Sequence, residues 1–279
     1  MTLTMPMDVP GKVIPFSQGG LNGLCHEGME NFDLAAVPFD RLARREKIPG
    51  FELIKSTRSR CTIRMEFKQP DGQIRRLYVK RYRTWRFLRK IAYLFIPSKA
   101  MLEWRLGHDL VHRGIMSPPP LLVAEERAGL FIRNNFLITC GIEPYQSVYS
   151  LIQTIHEHTE RRRFIAALAH YIHRVHDAGF YHDDMSSEHI FAFIEENKTD
   201  FALIDLDNGR VFRKVSQRRR IKNLFQILRS LDERQLDNQH RLFFLQEYLG
   251  EPVSSQFIDE INGLALRKTG APVLPDAPH

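Results

Sequence analysis

Residues 180–209 decide the reading: Phe180-Tyr181-His182-Asp183-Asp184-Met185-Ser186-Ser187-Glu188-His189-Ile190, then, after a short interval, Leu203-Ile204-Asp205-Leu206-Asp207-Asn208-Gly209. Ile190 to Ile194 and Phe201 to Ile204 are short apolar runs of strand length, and Glu195-Glu196-Asn197-Lys198-Thr199-Asp200 between them reads as a hairpin turn. The hairpin brings two carboxylates, Asp184 and Asp205, to one edge of a small sheet. Either acidic half alone would read as a solvated loop. The two together, in this order and behind a helical stretch, read as a site.

The spacing also fits the catalytic-loop pattern H-R-D-x-x-x-x-N of protein kinases, with His182 first, Asp184 third and His189 last. In that layout one Asp faces the acceptor hydroxyl and a second, here Asp205, holds magnesium on the phosphates.

At 279 residues the chain can form one large domain or two lobes. A net charge of +7 and a pI near 9.4 point to an anionic partner. Cys25, Cys61 and Cys140 lie far apart without metal-ligand spacing, which suits a reducing compartment. The longest apolar run near a basic region, Ile91 to Ile96, is too short to span a bilayer, and the start of the chain shows no secretory signal pattern.

Residues 1 to about 35 show no periodicity, and an irregular N-terminal arm over 1–40 is expected. Phe51 to Ser56, Cys61 to Phe67 and Ile74 to Tyr82 read as three strands, the last two joined by Pro70-Asp71-Gly72. On the third, Leu77, Val79 and Arg81 point one way and Tyr78, Lys80 and Tyr82 the other. Lys80 is thus placed like the strand lysine that kinases set against nucleotide phosphates, with Glu103 of the helical stretch Ala100 to Trp104 as its partner. The loop Ser56-Thr57-Arg58-Ser59-Arg60 has no glycine where kinases usually carry several, so Arg58 and Arg60 become candidate phosphate contacts. Arg81, Arg83, Arg86, Arg89 and Lys90 interleave with aromatics up to Phe95. That pattern suits an anionic membrane surface, a nucleic-acid groove, or a basic amphipathic helix packed on its own domain.

A strand from Asn135 to Thr139 ends at Cys140-Gly141-Ile142-Glu143, a candidate hinge between lobes that would receive an adenine. A helix from Arg161 to Ala178 carries an apolar stripe (Phe164, Leu168, Tyr171, Ile172, Val175) closed by Gly179. Its His170, His173 and His176 read as surface or packing residues. A basic connection, Arg210 to Arg220, precedes an amphipathic helix from Ile221 to Leu231. Helices near 239–249 and 255–267 follow, and a loose tail over 270–279.

These residues resemble the lipopolysaccharide kinase family, whose members phosphorylate heptose or Kdo (3-deoxy-D-manno-octulosonic acid) of the inner core. The resemblance covers roughly residues 75 to 232. It rests on Val79-Lys80, Ala100 to Trp104, Phe136 to Thr139, His182 to His189, Leu203 to Asp207, and Asn223-Leu224 with Arg229-Ser230-Leu231. Family members are similar in placing His where protein kinases have Asn, as at His189. Asp183 departs from the usual Arg or Gly before the catalytic Asp.

The resemblance implies a two-lobed, protein-kinase-like α+β fold, a β-rich lobe over 41–143 and a mainly helical lobe over 144–269. It implies ATP and Mg²⁺ as cofactors, and a glycolipid acceptor at the cytoplasmic face of the inner membrane rather than nucleic acid. Asp184 would then be the catalytic residue, and Lys80 and Glu103 would bind the nucleotide; Arg58 and Arg60, outside the stretch the resemblance covers, are nucleotide-binding candidates from the loop's own composition. Asp205 would hold the metal, with His189 or Asp207 serving a second ion. Mg²⁺ prefers oxygen ligands, so His189 could instead hydrogen-bond within the loop. Two other readings remain: a soluble small-molecule kinase of the aminoglycoside or choline type, and a pseudokinase binding module.

Overall fold

The computed structural model describes residues 11–68, 74–196 and 198–275. Strands β1 (Val13–Gln18) and β2 (Leu21–His26) precede helix α1 (Phe39–Ala43). Then come β3 (Phe51–Ser56), β4 (Arg60–Lys68), β5 (Ile74–Arg83), α2 (Phe87–Ala92) and α3 (Lys99–His112). β6 (Pro120–Ala128), β7 (Phe131–Cys140), β8 (Gln146–Ser147), α4 (Val148–Leu151) and α5 (His158–Asp177) follow. The remainder is β9 (Phe180–His182), β10 (Ile190–Glu195), β11 (Lys198–Leu203), β12 (Gly209–Val211), α6 (Gln217–Ser230), α7 (Asn238–Leu249) and α8 (Ser255–Thr269). The chain divides into two compact units, Met1–Asp109 with Pro118–Ile142 and Leu110–Ser117 with Glu143–His279.

The first unit is built on an antiparallel sheet of order β1-β2-β6-β7-β5-β4-β3. Alternation along β5 sorts its side chains between two faces, as expected. Leu77 and Val79 are buried with Cys61, Ile63 and Ile138, whereas Tyr82 packs with Ala100 and Trp104 of α3. Arg81 shares the first face: it is buried, stacks on Phe39 at 4.6 Å and bonds Asp40 at 2.7 Å. It therefore does not join the outward-facing cations.

The expected irregular arm is not what residues 13–26 form. They make a hairpin in register from Val13↔His26 to Gln18↔Leu21, and β2 continues onto β6. Its two-residue turn, Gly19-Gly20, has φ of +56° and +86°, which only glycine adopts without strain. Beyond it, Met29, Phe32, Leu34, Val37 and Phe39 cover the first face of the sheet. Met29 to Val37 wrap across the sheet instead of lying along a strand or helix, and Phe39 opens α1, so no single period marks them. The turn signal Pro70-Asp71-Gly72 lies outside the described residues, but β4 and β5 pair up to Lys68↔Ile74.

In the second unit the stripe of α5 is buried as expected, including Phe164, Leu168, Tyr171, Ile172 and Val175. Two small sheets, β11-β10-β8 and β12-β9, stand beside the helices. Helix α6 begins at Gln217, so the last residues of the expected basic connection are helical. The C-terminal stretch is also more ordered than a loose tail through Leu274. Asn262 of α8 accepts from the backbone N–H of Val273 and of Leu274, and Arg241 of α7 donates to Val273 O at 2.6 Å.

Candidate active site

The loop after β9 carries Asp184, and the turn after β11 carries Asp205. Pairing of β9 with β12 sets His182 opposite Gly209, so loop and turn start side by side. His182 then ties them together. Its Nδ1 accepts from the Asp184 N–H (3.2 Å), which puts the ring proton on Nε2, and Nε2 donates to the Asp205 carbonyl (2.9 Å). The imidazole is buried and spans the two turns as a brace.

Asp205 sits at φ +60°, ψ +53°, a left-handed conformation rare outside glycine. It opens a short 3₁₀ turn, Leu206–Asn208, within which Asp207 is buried. His189 faces the same place. Its Nδ1 lies 2.9 Å from the Asp184 carbonyl, an acceptor, so Nδ1 carries the proton. Nε2 is left 3.8 Å from Asp205 Oδ2, beyond hydrogen-bond length. Asp184 itself is exposed at the loop surface.

Helix α6 holds the loop through a polar stripe, of which the sequence reading names Asn223 and Ser230 without giving them a role. Asn223, Gln226 and Ser230 stand three and four residues apart, on one helical face. Asn223 Nδ2 donates to His182 O (2.6 Å), and Gln226 Nε2 donates to Asp183 O (2.7 Å). Ser230 Oγ accepts from the Ser187 N–H (2.9 Å). Behind Asn223 lies His176, the buried member of the α5 histidines. Its Nδ1 is 2.8 Å from the Tyr248 hydroxyl and its Nε2 is 3.3 Å from Asn223 Oδ1. Burial, chiefly, pushes its pKa down to about 4. His170 instead meets Glu247 and His173 meets Asp177, at 3.1 and 2.9 Å.

Asp183 turns away from Asp184 toward β12 and α6. It accepts from the Tyr181 hydroxyl (2.9 Å) and Lys222 (3.1 Å), and Arg210 lies 3.4 Å away. Burial raises its pKa, but the bonds from Tyr181 and Lys222 and the charges of Lys222 and Arg210 outweigh that and hold it below the usual carboxylate value. The same bonds outweigh burial at Lys222 and raise its pKa.

In the first unit Lys80 of β5 and Glu103 of α3 form an ion pair, both largely buried. Tyr82 donates to the other Glu103 oxygen at 2.7 Å, which fixes the carboxylate that fixes the lysine. The turn from Ser56 to Arg60 is closed by its own bonds: Thr57 N–H donates to Arg60 O (2.7 Å) and Arg60 N–H to Thr57 Oγ1 (3.0 Å). Arg58 lies flat on the Trp85 ring at 3.9 Å, while Arg60 is half-buried at the start of β4.

The Lipopolysaccharide kinase (Kdo/WaaP) family matches residues 51–248. The chain belongs to this family. Two 3-deoxy-D-manno-octulosonic acid kinases of Xylella fastidiosa, from strains M12 and 9a5c, are 30% and 29% identical to it over 150 residues. Each match covers 52% of this chain and 57% of the relative, so the chain spans little more than half the length of these relatives. A solved structure described as WaaP in complex with acyl carrier protein aligns with a TM-score of 0.56 at 20% identity, covering 84% of this chain and 91% of that one. That likeness shows the fold, which is kinase-like: a β-rich unit and a mainly helical unit. The lipopolysaccharide kinase match contains Lys80, Glu103, the loop from His182 to His189, Asp205, Asp207 and the α6 stripe.

Proposed function

We propose that this chain transfers the γ-phosphoryl of ATP to a hydroxyl of a lipopolysaccharide inner-core sugar, heptose or Kdo. The observation that carries the reading is the His182 brace, which couples the turn bearing Asp184 to the turn bearing Asp205. Solvated loop carboxylates would need no buried imidazole between them.

Asp184, exposed at the loop surface, orients the acceptor hydroxyl and takes its proton. Lys80, held by Glu103, grips the nucleotide phosphates. The donor set suits a hard cation, because Asp205 and Asp207 offer carboxylate oxygens. When bound, Mg²⁺ neutralises charge on the phosphates. The nitrogen of His189 is a poorer ligand for that ion, and its bond to the Asp184 carbonyl supports a role in shaping the loop. Arg58, engaged on Trp85, would have to leave that ring to reach a phosphate; Arg60 lies nearer the Lys80 strand, paired in register with Tyr82.

Contact with an anionic membrane surface is part of the proposal. No acidic residue occurs from 80 to 102. Phe87, Leu88 and Phe95 are 67%, 80% and 82% exposed, beside Arg86, Arg89 and Lys90, and α2 buries none of its residues. Among the described residues no helix is long and apolar enough to cross a membrane. Mass spectrometry of core oligosaccharide from cells with and without the protein tests the function. A phosphate lost with the protein supports it, and an unchanged core refutes it.

A further inference from the structure

From 208 to 231 the chain carries eight lysines and arginines and no acidic residue. Three of the arginines, Arg218, Arg219 and Arg220, occupy the first turn of α6, whose N-cap Ser216 makes no side-chain cap. Cations there face the positive end of the helix dipole and are disfavoured, so helix formation does not account for them. Arg220 has a structural partner, Asp177 at 2.7 Å. The others need a different explanation.

The positions of three cations supply one. Lys222 and Arg210 meet Asp183, the residue immediately before Asp184, at 3.1 and 3.4 Å. Arg219 stacks over Phe212 at 4.0 Å and lies 5.8 Å from the Tyr181 ring, and Lys222 is 5.6 Å from that ring. Arg210, Arg219 and Lys222 therefore gather around Tyr181 and Asp183, one residue from the proposed base. Set against the single charge of Asp183, they leave two positive charges to be met from outside.

We propose that Arg210, Arg219 and Lys222 form an acceptor subsite for an anionic oxygen group, carboxylate or phosphate, on the sugar whose hydroxyl faces Asp184. Asp183 is its positioning residue, holding Lys222 and Arg210 apart and aimed outward. The inference rests on the kinase reading and deepens it, because a carboxylate on the acceptor distinguishes a sugar acid from a neutral heptose. Charge-assisted bonds of this kind are the stronger ones in recognition and depend on the charge of the ligand as much as on its shape.

The test uses the full chain and four acceptors: a methyl glycoside of Kdo, the same glycoside with its carboxylate reduced to an alcohol, a heptoside, and a phosphorylated heptoside. Lys222→Met and Arg210→Met should each raise KM for a charged acceptor about tenfold or more. They should leave kcat and the KM for ATP near wild type and change nothing on the uncharged acceptors, and Lys222→Arg should restore most of the loss. Response to the Kdo glycoside alone, or to the phosphorylated heptoside alone, identifies the group. Equal losses on charged and uncharged acceptors, or no loss on either, overturn the subsite. If wild type turns over none of the four, the kinase reading has failed. Calorimetric binding of the charged sugars to wild type and Lys222→Met then decides the subsite alone: binding weakened by the substitution upholds it, and unchanged or undetectable binding overturns it.

Discussion

His176 links acidity to stability in a way that can be worked out from its surroundings. Arg220 donates to the Tyr248 hydroxyl at 3.3 Å, and that hydroxyl donates to His176 Nδ1. The ring proton is then on Nε2, facing Asn223 Oδ1, and the fully buried imidazole is neutral. Burial first, with the Arg220 charge behind it, carries the folded pKa to about 4 against 6.5 for the ordinary group. The folded value is the lower one, so between these pH values the unfolded chain binds the extra proton. The contribution is complete above about pH 6.5 and is lost as pH falls toward 4. A gap of about 2.5 units at ~1.36 kcal/mol each gives ~3 kcal/mol, a large share of a typical domain stability. His176→Gln keeps an acceptor for Tyr248 and a donor for Asn223 but does not titrate. Urea unfolding of both proteins at pH steps from 7.5 to 4 cancels the carboxylates they share. The stability difference should move by ~3 kcal/mol in favour of the glutamine variant as pH falls. A constant difference would refute the assignment of a buried neutral imidazole.

Other outcomes follow from the same structure. Lys80→Ala should weaken ATP handling and cut turnover, whereas Lys90→Ala should leave ATP handling near normal; equal behaviour in a nucleotide-dependent thermal shift would remove Lys80 from the nucleotide site. Asn223→Ala strips partners from the buried N–H and C=O of His182 and should cost roughly 2–6 kcal/mol in urea unfolding, at ~1–3 kcal/mol per orphaned group, with turnover falling further than ATP binding. Charge reversal at Arg86 and Arg89 should weaken binding to acidic liposomes, at about 1 kcal/mol per cation and more weakly as salt rises. It should also lower activity on lipid-linked acceptor more than on a soluble fragment, and equal losses on both acceptors would count against a membrane contact.

Where a side chain alternates or repeats against one surface, the sequence was legible. Phe51–Ser56 is the strand read from its residues, and the α5 stripe is buried position for position. Lys80 and Glu103 pair because strand parity and helix order already set them face to face. Legibility failed where a residue's meaning depends on a distant partner. The strap from Met29 to Phe39 is apolar without period, because its shape follows the sheet it covers. The start of α6 was hidden by cations that oppose its dipole. Asn223, Gln226 and Ser230 look like an ordinary polar face until the loop they hold is seen, and only their three- and four-residue spacing beside buried leucines could have flagged them. For the same reason Asp183 and Asp184 were separable by counting but not by environment. Asp183 has three partners, Tyr181, Lys222 and Arg210, whereas Asp184 is exposed.

That contrast sets the most direct measurement: phosphoryl transfer to the core sugar by Asp184→Asn and by Asp183→Asn, each with ATP-induced thermal stabilisation as a control for fold and nucleotide binding. General-base assistance is typically worth ~10²–10⁴-fold, so Asp184→Asn should lose at least that in kcat while still being stabilised by ATP. Asp183→Asn should keep most of its kcat and show its loss in acceptor KM, because its carboxylate holds Lys222 and Arg210. If Asp183→Asn abolishes transfer and Asp184→Asn does not, the account of this site is wrong.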